Sequence, residues 1–389
     1  MIVYWVTALL FWLGQMKLGI TIINKYIVFL RDSIAKHILT IGFGAFMAAW
    51  PIILFVPYRD AVIPRHLLTF HPSGILEYMF LAVLLYGVFL LIQANTRALA
   101  RLLKNPLPEG VHRIAHEHYT PAEGAGWRMP RLPLFLQYPL HFFNDYYKVE
   151  LNIYEIALED LPASFDGFRV AHITDIHYDT RLDFRFYEFC ISETNALDPD
   201  LVLVTGDNIS RQRYSPKAIG ILTDLKAPEG IYILRGNHDF WQDAKTVKSE
   251  ILMKGLELLD NRSITITRKG ERLRIVGVEH PWKRLRTWDE TLLAQDRVFT
   301  ICATHTPDNF RRAAKAGTGL TLCGHTHGGQ VRVPFFGPVV CPSKFSRRYD
   351  QGFFRIGKSY LYVNRGIGST VPFRMRCPSE IALFILRKK

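Results

Sequence analysis

The chain has 389 residues, with 48 Lys and Arg against 35 Asp and Glu, a formal charge of +13. Its 49% apolar content is too high for a disordered chain. Five cysteines with no CxxC pair exclude a disulfide scaffold and argue against a structural zinc site; buried thiols in a reducing compartment are expected.

The first apolar stretch, residues 2–30, is interrupted by Gln15, Lys17, Asn24 and Lys25. It reads either as a membrane span or as a helix lying in the interface. Residues 38–58 then carry no charge over 21 positions, and residues 78–96 none over 19. At about 1.5 Å per residue, either run crosses a hydrocarbon core of about 30 Å. Two transmembrane helices are therefore expected near 38–58 and 76–96, within a membrane region 1–104. Lys17, Lys25, Arg31 and Lys36 precede the first span, only Arg59 and Arg65 lie between the two, and Arg97, Arg101, Lys104 and Arg113 come after the second. The bias of basic residues predicts that everything after residue 97 faces the cytoplasm.

Residues 105–150 form a bridge. Pro106, Pro108, Pro121, Pro130, Pro133 and Pro139 break any long helix, and seven aromatics lie between Trp127 and Tyr147. The composition suits either an interfacial linker lying on the membrane or packing against the domain C-terminal to it.

Residues 151–389 alternate short apolar runs with helical patterns. Strands are predicted at 168–174, 200–205, 231–234, 273–278, 298–303, 320–323, 331–333, 360–363 and 381–386, with helices at 184–197 and 244–254. Strand, polar loop and helix in alternation make an α/β fold, in which ligands bind beyond the carboxyl ends of strands. Those ends carry an ordered set of metal-type residues: Asp175, His177, Asp207, Asn237, His238, His305, His325 and His327. Asp175/His177 and His325/His327 each sit two apart, so in extended backbone both members face one way. Mixed nitrogen and oxygen donors suit first-row divalent ions.

These blocks, Asp175-Ile-His177, Gly206-Asp207, Gly236-Asn237-His238-Asp239, His305 and Gly324-His325-Thr-His327, resemble those of the calcineurin-like metallophosphoesterases, in the family's order. The resemblance covers roughly residues 165–389. Gly328-Gly329-Gln330-Val331 and the stretch 363–368 are similar to its membrane-associated bacterial branch. The resemblance implies an α/β/β/α four-layer sandwich of two mixed sheets, here preceded by the transmembrane region. It implies that Asp175, His177 and His327 bind one metal, that Asn237, His305 and His325 bind the other, and that Asp207 bridges them. Two divalent ions are expected, Mn²⁺ first, with Zn²⁺ or Fe also suited to the donor set. His238 is implied as proton donor or transition-state stabiliser; the alternative is a support role with Asp239 orienting it. Two departures, Asn208 after the bridging carboxylate and Thr306 after His305, bear on substrate choice.

Outside the metal residues, positions 341–376 hold Lys344, Arg347, Arg348, Arg355, Lys358, Arg365, Arg374 and Arg376 against one acid, Asp350. This reads as a basic lip for an anionic headgroup or diphosphate, or as a solvated face. Pro281 to Trp288 mixes two tryptophans with three basic residues, suited to a loop touching a bilayer or to a Trp-anchored surface loop. No nucleic-acid reader motif is visible, so nucleic acid is not expected as a partner. The resemblance implies a membrane-anchored phosphohydrolase of the inner membrane acting on a lipid-linked phosphate or pyrophosphate. Within that branch the expected reaction is hydrolysis of UDP-2,3-diacylglucosamine to UMP and a lipid monophosphate in lipid A biosynthesis. Other lipid or nucleotide phosphoesters, or a non-catalytic scaffold, are the alternatives.

Overall fold

The computed structural model describes residues 107–120, 144–179, 182–259, 261–279, 281–282, 298–333 and 337–389, with residues 12, 14–16, 18–24, 42, 85, 89 and 92. The expected spans near 38–58 and 76–96 thus lie, but for Gly42, Leu85, Phe89 and Ile92, outside the described residues, as do 121–143 of the bridge. Among the described residues no helix is long and apolar enough to cross a membrane.

The chain divides into two units, residues 1–106 with 332–346, and residues 107–331 with 347–389. Among the described residues the strands run β1 (Val111–Tyr119), β2 (Val149–Leu158), β3 (Arg169–Ile173), β4 (Leu201–Thr205) and β5 (Ile231–Leu234). They continue with β6 (Glu257–Leu258), β7 (Ser263–Arg268), β8 (Glu271–Val278), β9 (Phe299–Thr304) and β10 (Leu320–Cys323). The last are β11 (Arg332–Val333), β12 (Gly337–Pro338), β13 (Gly352–Ile356), β14 (Ser359–Val363) and β15 (Ser379–Lys388). Four α-helices are described in the second unit: α1 (Phe184–Ala196), α2 (Ser215–Leu222), α3 (Asn237–Met253) and α4 (Phe310–Lys315).

In the second unit, β1-β2-β15-β3-β4-β5-β6 form one sheet and β13-β14-β10-β9-β8-β7 the other. Both are mixed: β3, β4, β5 and β6 run parallel, as do β2 and β15, and β8, β9, β10 and β14, while β1–β2, β15–β3, β7–β8 and β13–β14 are antiparallel. Side chains alternate across each strand, and in β4 both sets are apolar. Leu201 and Leu203 meet Leu273, Ile275, Ile301 and Leu322 of the other sheet. Val202 and Val204 meet Phe186 of α1, Ile219 of α2 and Val247 of α3. A strand covered on both faces reads as a continuous apolar run, which is what 201–205 shows. On the far side, Val276, Val278 and Cys302 pack with Ala313 of α4. The order is helix, sheet, sheet, helix, as the sequence predicts.

The sequence reading misses part of this unit. Val111–Tyr119, from the stretch read as a bridge, is an edge strand antiparallel to β2. Six of its nine residues are His, Arg, Glu or Tyr on a largely exposed strand, so it carries little apolar signal. β15 closes the sheet by inserting between β2 and β3. The predicted helix 244–254 is the second part of α3, which breaks at Asp243 (φ −148°, ψ 95°). There the Asp243 carboxylate accepts from the Lys245 and Thr246 amides and caps the new turn.

In the first unit, residues 14–16 and 18–24 are helical, and Ile20, Ile23 and Asn24 are buried. Asn24 Nδ2 donates to the Ile20 and Val339 carbonyls, and its Oδ1 accepts from the Cys341 amide at 2.6 Å. The 332–346 excursion, with its short β11–β12 hairpin, is thereby tied to the N-terminal segment. All five cysteines are buried and none forms a disulfide.

Candidate metal centre

Five strand ends deliver the eight predicted residues to one place. Asp175 and His177 follow β3, Asp207 follows β4, and Asn237 and His238 open α3 just past β5. His305 follows β9, and His325 and His327 follow β10. The loops interlock through the backbone: the Asp175 amide donates to Gly206 O, the His177 amide to Asp207 O and the Gly324 amide to His305 O. Asp175, His177, Asp207, His325 and His327 all adopt positive φ, between 44° and 72°. Such left-handed backbone costs energy in residues with a side chain, and it clusters where a constellation of groups is held in a fixed geometry.

The Asp207 carboxylate is the centre. Its Oδ2 lies 3.4 Å from His177 Nε2 and 3.3 Å from His305 Nε2. Its Oδ1 accepts from the His238 amide at 2.8 Å, at the positive end of α3. On one side, Asp175 Oδ1 sits 3.4 Å from His327 Nε2 and 3.9 Å from His177 Nε2, and those two nitrogens face each other at 3.2 Å. On the other side, His305 Nε2 faces Asn237 Oδ1 at 3.1 Å, and Asp207, His305 and His325 cluster. His305 Nδ1 donates to the Thr205 carbonyl at 2.8 Å, which turns Nε2 inward.

The donor set fits divalent ions. Asp175 Oδ1 is buried without a hydrogen-bond partner, an expensive state for a carboxylate oxygen that no cation meets. Two ligands each about 2.1 Å from a tetrahedral ion lie roughly 3.4 Å apart, and the separations here run from 3.1 to 4.0 Å. The electrostatics agree. Burial opposes ionisation of Asp207, but His305, His238 and His177 outweigh it and hold the carboxyl well below its ordinary range. Burial likewise pushes the His305 imidazole down, and the Asp207 and Asp175 carboxylates more than reverse it, raising it to about 9. A cationic imidazole supplies here the charge that a bound metal supplies, and metal binding releases its proton.

Around the donors stand groups that residue spacing does not reveal. Asp239 turns both oxygens to the protein: Oδ1 accepts from the Asn208 and Ile209 amides, Oδ2 from the Gly236 amide and the Asn208 side chain. It locks the β4 and β5 loops together and does not orient the His238 ring. That ring lies 4.7 Å from His177 and 4.9 Å from Trp241. Asn208 is fully buried and also donates to Leu234 O, and Thr306 Oγ1 accepts from the Asp308 amide at the start of a short turn. Both side chains are buried and bonded to the loops around the centre. Trp282 stacks edge-on against His305 and His325 at 5.2 and 5.1 Å, so this first tryptophan of the Pro281–Trp288 stretch is a wall of the centre. Residues 283–288 lie outside the described residues.

The basic lip is also corrected. Arg365 is buried and paired with Glu150 and Glu380. Arg374 is fully buried and donates to the carbonyls of Arg365, Gly366, Gly368 and Cys377. Arg355 pairs with Glu109, and Lys358 with Glu159 and Asp160. Lys344, Arg348 and Arg376 of the stretch are exposed.

The profile of the calcineurin-like phosphoesterases matches residues 168–329, a span that contains all eight residues. The chain is 30% identical over 246 residues to the uncharacterised metallophosphoesterase YkuE of Bacillus subtilis (strain 168), covering 61% of this chain and 86% of that one. It is 25% identical over 230 residues to the phosphodiesterase YaeI of Escherichia coli (strain K12), covering 56% and 82%. To a transmembrane protein with metallophosphoesterase domain from Danio rerio it is 26% identical over 254 residues, covering 60% and 56%. With a profile match that brackets the whole donor constellation, and a relative matched over most of its length, the chain belongs to the calcineurin-like phosphoesterase family and is a metal-dependent phosphoester hydrolase.

Proposed function

We propose that the protein is a membrane-anchored, dinuclear metal-dependent phosphohydrolase acting on a lipid-linked phosphate or pyrophosphate. The observation that carries the chemistry is Asp207 Oδ2, equidistant within 0.1 Å from an imidazole of each half of the centre, at 3.4 and 3.3 Å. Asp175, His177 and His327 would hold one ion, Asn237, His305 and His325 the other, with Asp207 shared. Mn²⁺ is the expected metal, and the nitrogen and oxygen donors also suit Zn²⁺ or Fe. Bound there, a pair of divalent ions supplies positive charge to phosphoryl oxygens and eases the ionisation of water. The protein's part is to place them and to manage protons. His238, fixed at the first turn of α3 by its amide contact to Asp207, protonates the leaving oxygen. The Asp239 contacts keep that turn registered against the β4 loop.

The membrane assignment rests on the uncharged runs 38–58 and 78–96, in a membrane region 1–104 that precedes the hydrolase domain. Two observations support it: the Danio rerio relative is named a transmembrane protein, and the 332–346 excursion, five residues past His327, is packed with the N-terminal segment. The basic bias supports an inner-membrane protein whose hydrolase domain faces the cytoplasm. An anchor of this kind holds the centre at the headgroup layer and raises the local concentration of a lipid substrate. Exposed Arg348 and Arg376 are the cations of the 341–376 stretch suited to a second phosphate.

UDP-2,3-diacylglucosamine is the substrate we put first. The test is incubation of the purified full chain with this lipid and Mn²⁺, with UMP read by mass spectrometry. UMP above that of an Asp207→Ala control is expected. No UMP, with clear turnover of a nucleotide diester, would replace the lipid reading by a nucleotide phosphodiesterase, the reading that the name of the YaeI relative favours.

A further inference from the structure

We propose a second metal site, independent of the hydrolytic centre, on the outer strands of the seven-stranded sheet: a zinc-type divalent ion held by His116, His118 and Glu150. The three offer ligand atoms that all lie within 4.8 Å of one another. None belongs to the blocks that build the dinuclear centre; they sit on β1 and β2, whereas those blocks follow β3, β4, β5, β9 and β10.

The strand register produces the cluster. His116 and His118 are two apart on β1 and so share a face, and across the antiparallel pair His118 stands opposite Glu150 and His116 opposite Asn152. Four side chains, two from each strand, therefore converge on one face. The imidazole rings of His116 and His118 meet edge-on with centroids 4.2 Å apart. His118 Nδ1 lies 3.4 Å from Glu150 Oε1, the separation of two ligands on one tetrahedral ion.

Each ligand is oriented from behind. Asn152 Nδ2 donates to Glu380 Oε1 at 2.7 Å, so its Oδ1 must face His116, where it stands 2.7 Å from Nδ1. His116 Nδ1 therefore carries the proton and Nε2 presents its lone pair, the arrangement in which a carbonyl oxygen fixes the tautomer of a ligating histidine. Glu380 is itself anchored by Arg365 at 3.1 Å and by the Tyr362 hydroxyl. Glu150 gives Oε2 to Arg365, which leaves Oε1 on the His118 side. The two ligand sets are thus backed by one buried Arg365–Glu380 pair. The histidines are exposed, as entry of an ion requires: the His118 side chain is 58% accessible and Glu150 14%. Two imidazoles and one carboxylate form a borderline donor set with a fourth position left to water, suited to Zn²⁺, Co²⁺ or Ni²⁺ over Mg²⁺ or Ca²⁺. An ion there joins the edge strand β1 to β2 by bonds that a surface ion pair does not equal.

The test uses the purified full chain, dialysed to equilibrium against micromolar Zn²⁺, with metal counted by mass spectrometry. His118→Ala and His116→Ala should each hold one zinc fewer per chain than the parent, with hydrolysis of bis(p-nitrophenyl) phosphate unchanged. The same one-zinc difference should persist between Asp207→Ala and Asp207→Ala/His118→Ala, which separates this site from the hydrolytic one. Zn²⁺ should also raise the melting temperature of Asp207→Ala more than that of the double variant. Equal zinc content within each pair would overturn the proposal and leave His118–Glu150 as a surface ion pair only, whatever the outcome for the hydrolytic centre.

Discussion

Arg235 and Glu279 form a two-pronged buried pair across the sandwich, Nε to Oε1 at 3.0 Å and Nη2 to Oε2 at 2.9 Å. Arg235 follows β5 of the first sheet and Glu279 follows β8 of the second, so the pair clasps the sheets at the end that carries the metal residues. Arg235 also donates to Ala244 O, beside the break in α3. The residue before Gly236-Asn237-His238 thus sets where that loop begins.

Removing one partner leaves a buried charge without its counter-ion. Glu279→Ala should destabilise the hydrolase domain by about 3–5 kcal/mol, a fall in melting temperature of roughly 10 °C. Arg235→Met/Glu279→Leu should lose less than either single change. Thermal denaturation of the parent, Arg235→Met, Glu279→Leu and the double variant checks this, and additive losses would contradict it.

Loss of Asp207 and loss of His238 should separate metal binding from turnover. Asp207→Ala removes the oxygen between His177 and His305, and is expected to strip metal and abolish hydrolysis. His238→Ala keeps those separations, and should retain metal while turnover falls by about 10²–10⁴-fold. Metal content and rate measured on the same preparations distinguish the two.

Gly236 and Gly324 are required by close approach. A Cβ at Gly324 would stand 2.0 Å from Asp175 Oδ2, and one at Gly236 2.2 Å from Asp207 Oδ1. Gly324→Ala should therefore displace Asp175 and lower activity about 10²-fold, the scale of an ångström's misplacement in a reacting centre. Far-UV circular dichroism should be unchanged while the bound metal falls.

His172 gives the domain an acid-side liability. It is wholly buried between the sheets, with Nε2 2.8 Å from Thr205 Oγ1 and no partner on Nδ1. Burial pushes the imidazole down from 6.5 to about 3. The unfolded chain therefore binds a proton that the folded one refuses between pH 6.5 and about 3. This contribution to stability is whole above 6.5 and shrinks as pH falls, by up to about 1.4 kcal/mol per pH unit. Urea unfolding at pH 7 and pH 5 should show a steeper loss for the parent than for His172→Phe. Equal slopes would show that His172 does not titrate this way.

How much of the fold and the centre is readable from the sequence depends on what each residue signals. β3, β4, β5, β9 and β10 are short, mostly apolar runs with polar residues just beyond them, so the strands and the donors at their ends are legible together. Val111–Tyr119 is not, because an exposed edge strand rich in His and Glu has neither period nor apolar content to mark it. Arg365 and Arg374 read as surface cations because charge alone carries no sign of burial; only the Glu150, Glu380 and carbonyl partners reveal it. Asn208 and Trp282 stand out in the sequence, but what they touch does not. Their neighbours, Asp239 and the His305–His325 pair, are remote from them in sequence and come beside them only when β4 pairs with β5 and when β8, β9 and β10 lie side by side.

The Asn24 amide that grips the backbone of 339–341 matters for anyone wishing to shorten the protein. Trimming the apolar N-terminal stretch also removes the acceptor of the Cys341 amide and the donor to the Val339 carbonyl. The excursion 332–346 would lose those hydrogen bonds beside Cys341, which is wholly buried, and loosen there towards proteases and oxidants. A trimmed enzyme that clips near residue 340 or ages into a disulfide-linked dimer would be showing the loss of one asparagine more than 300 positions upstream. Replacing 332–346 by a short polar turn, with the hydrolase strands left intact, is the matching change to make alongside the truncation.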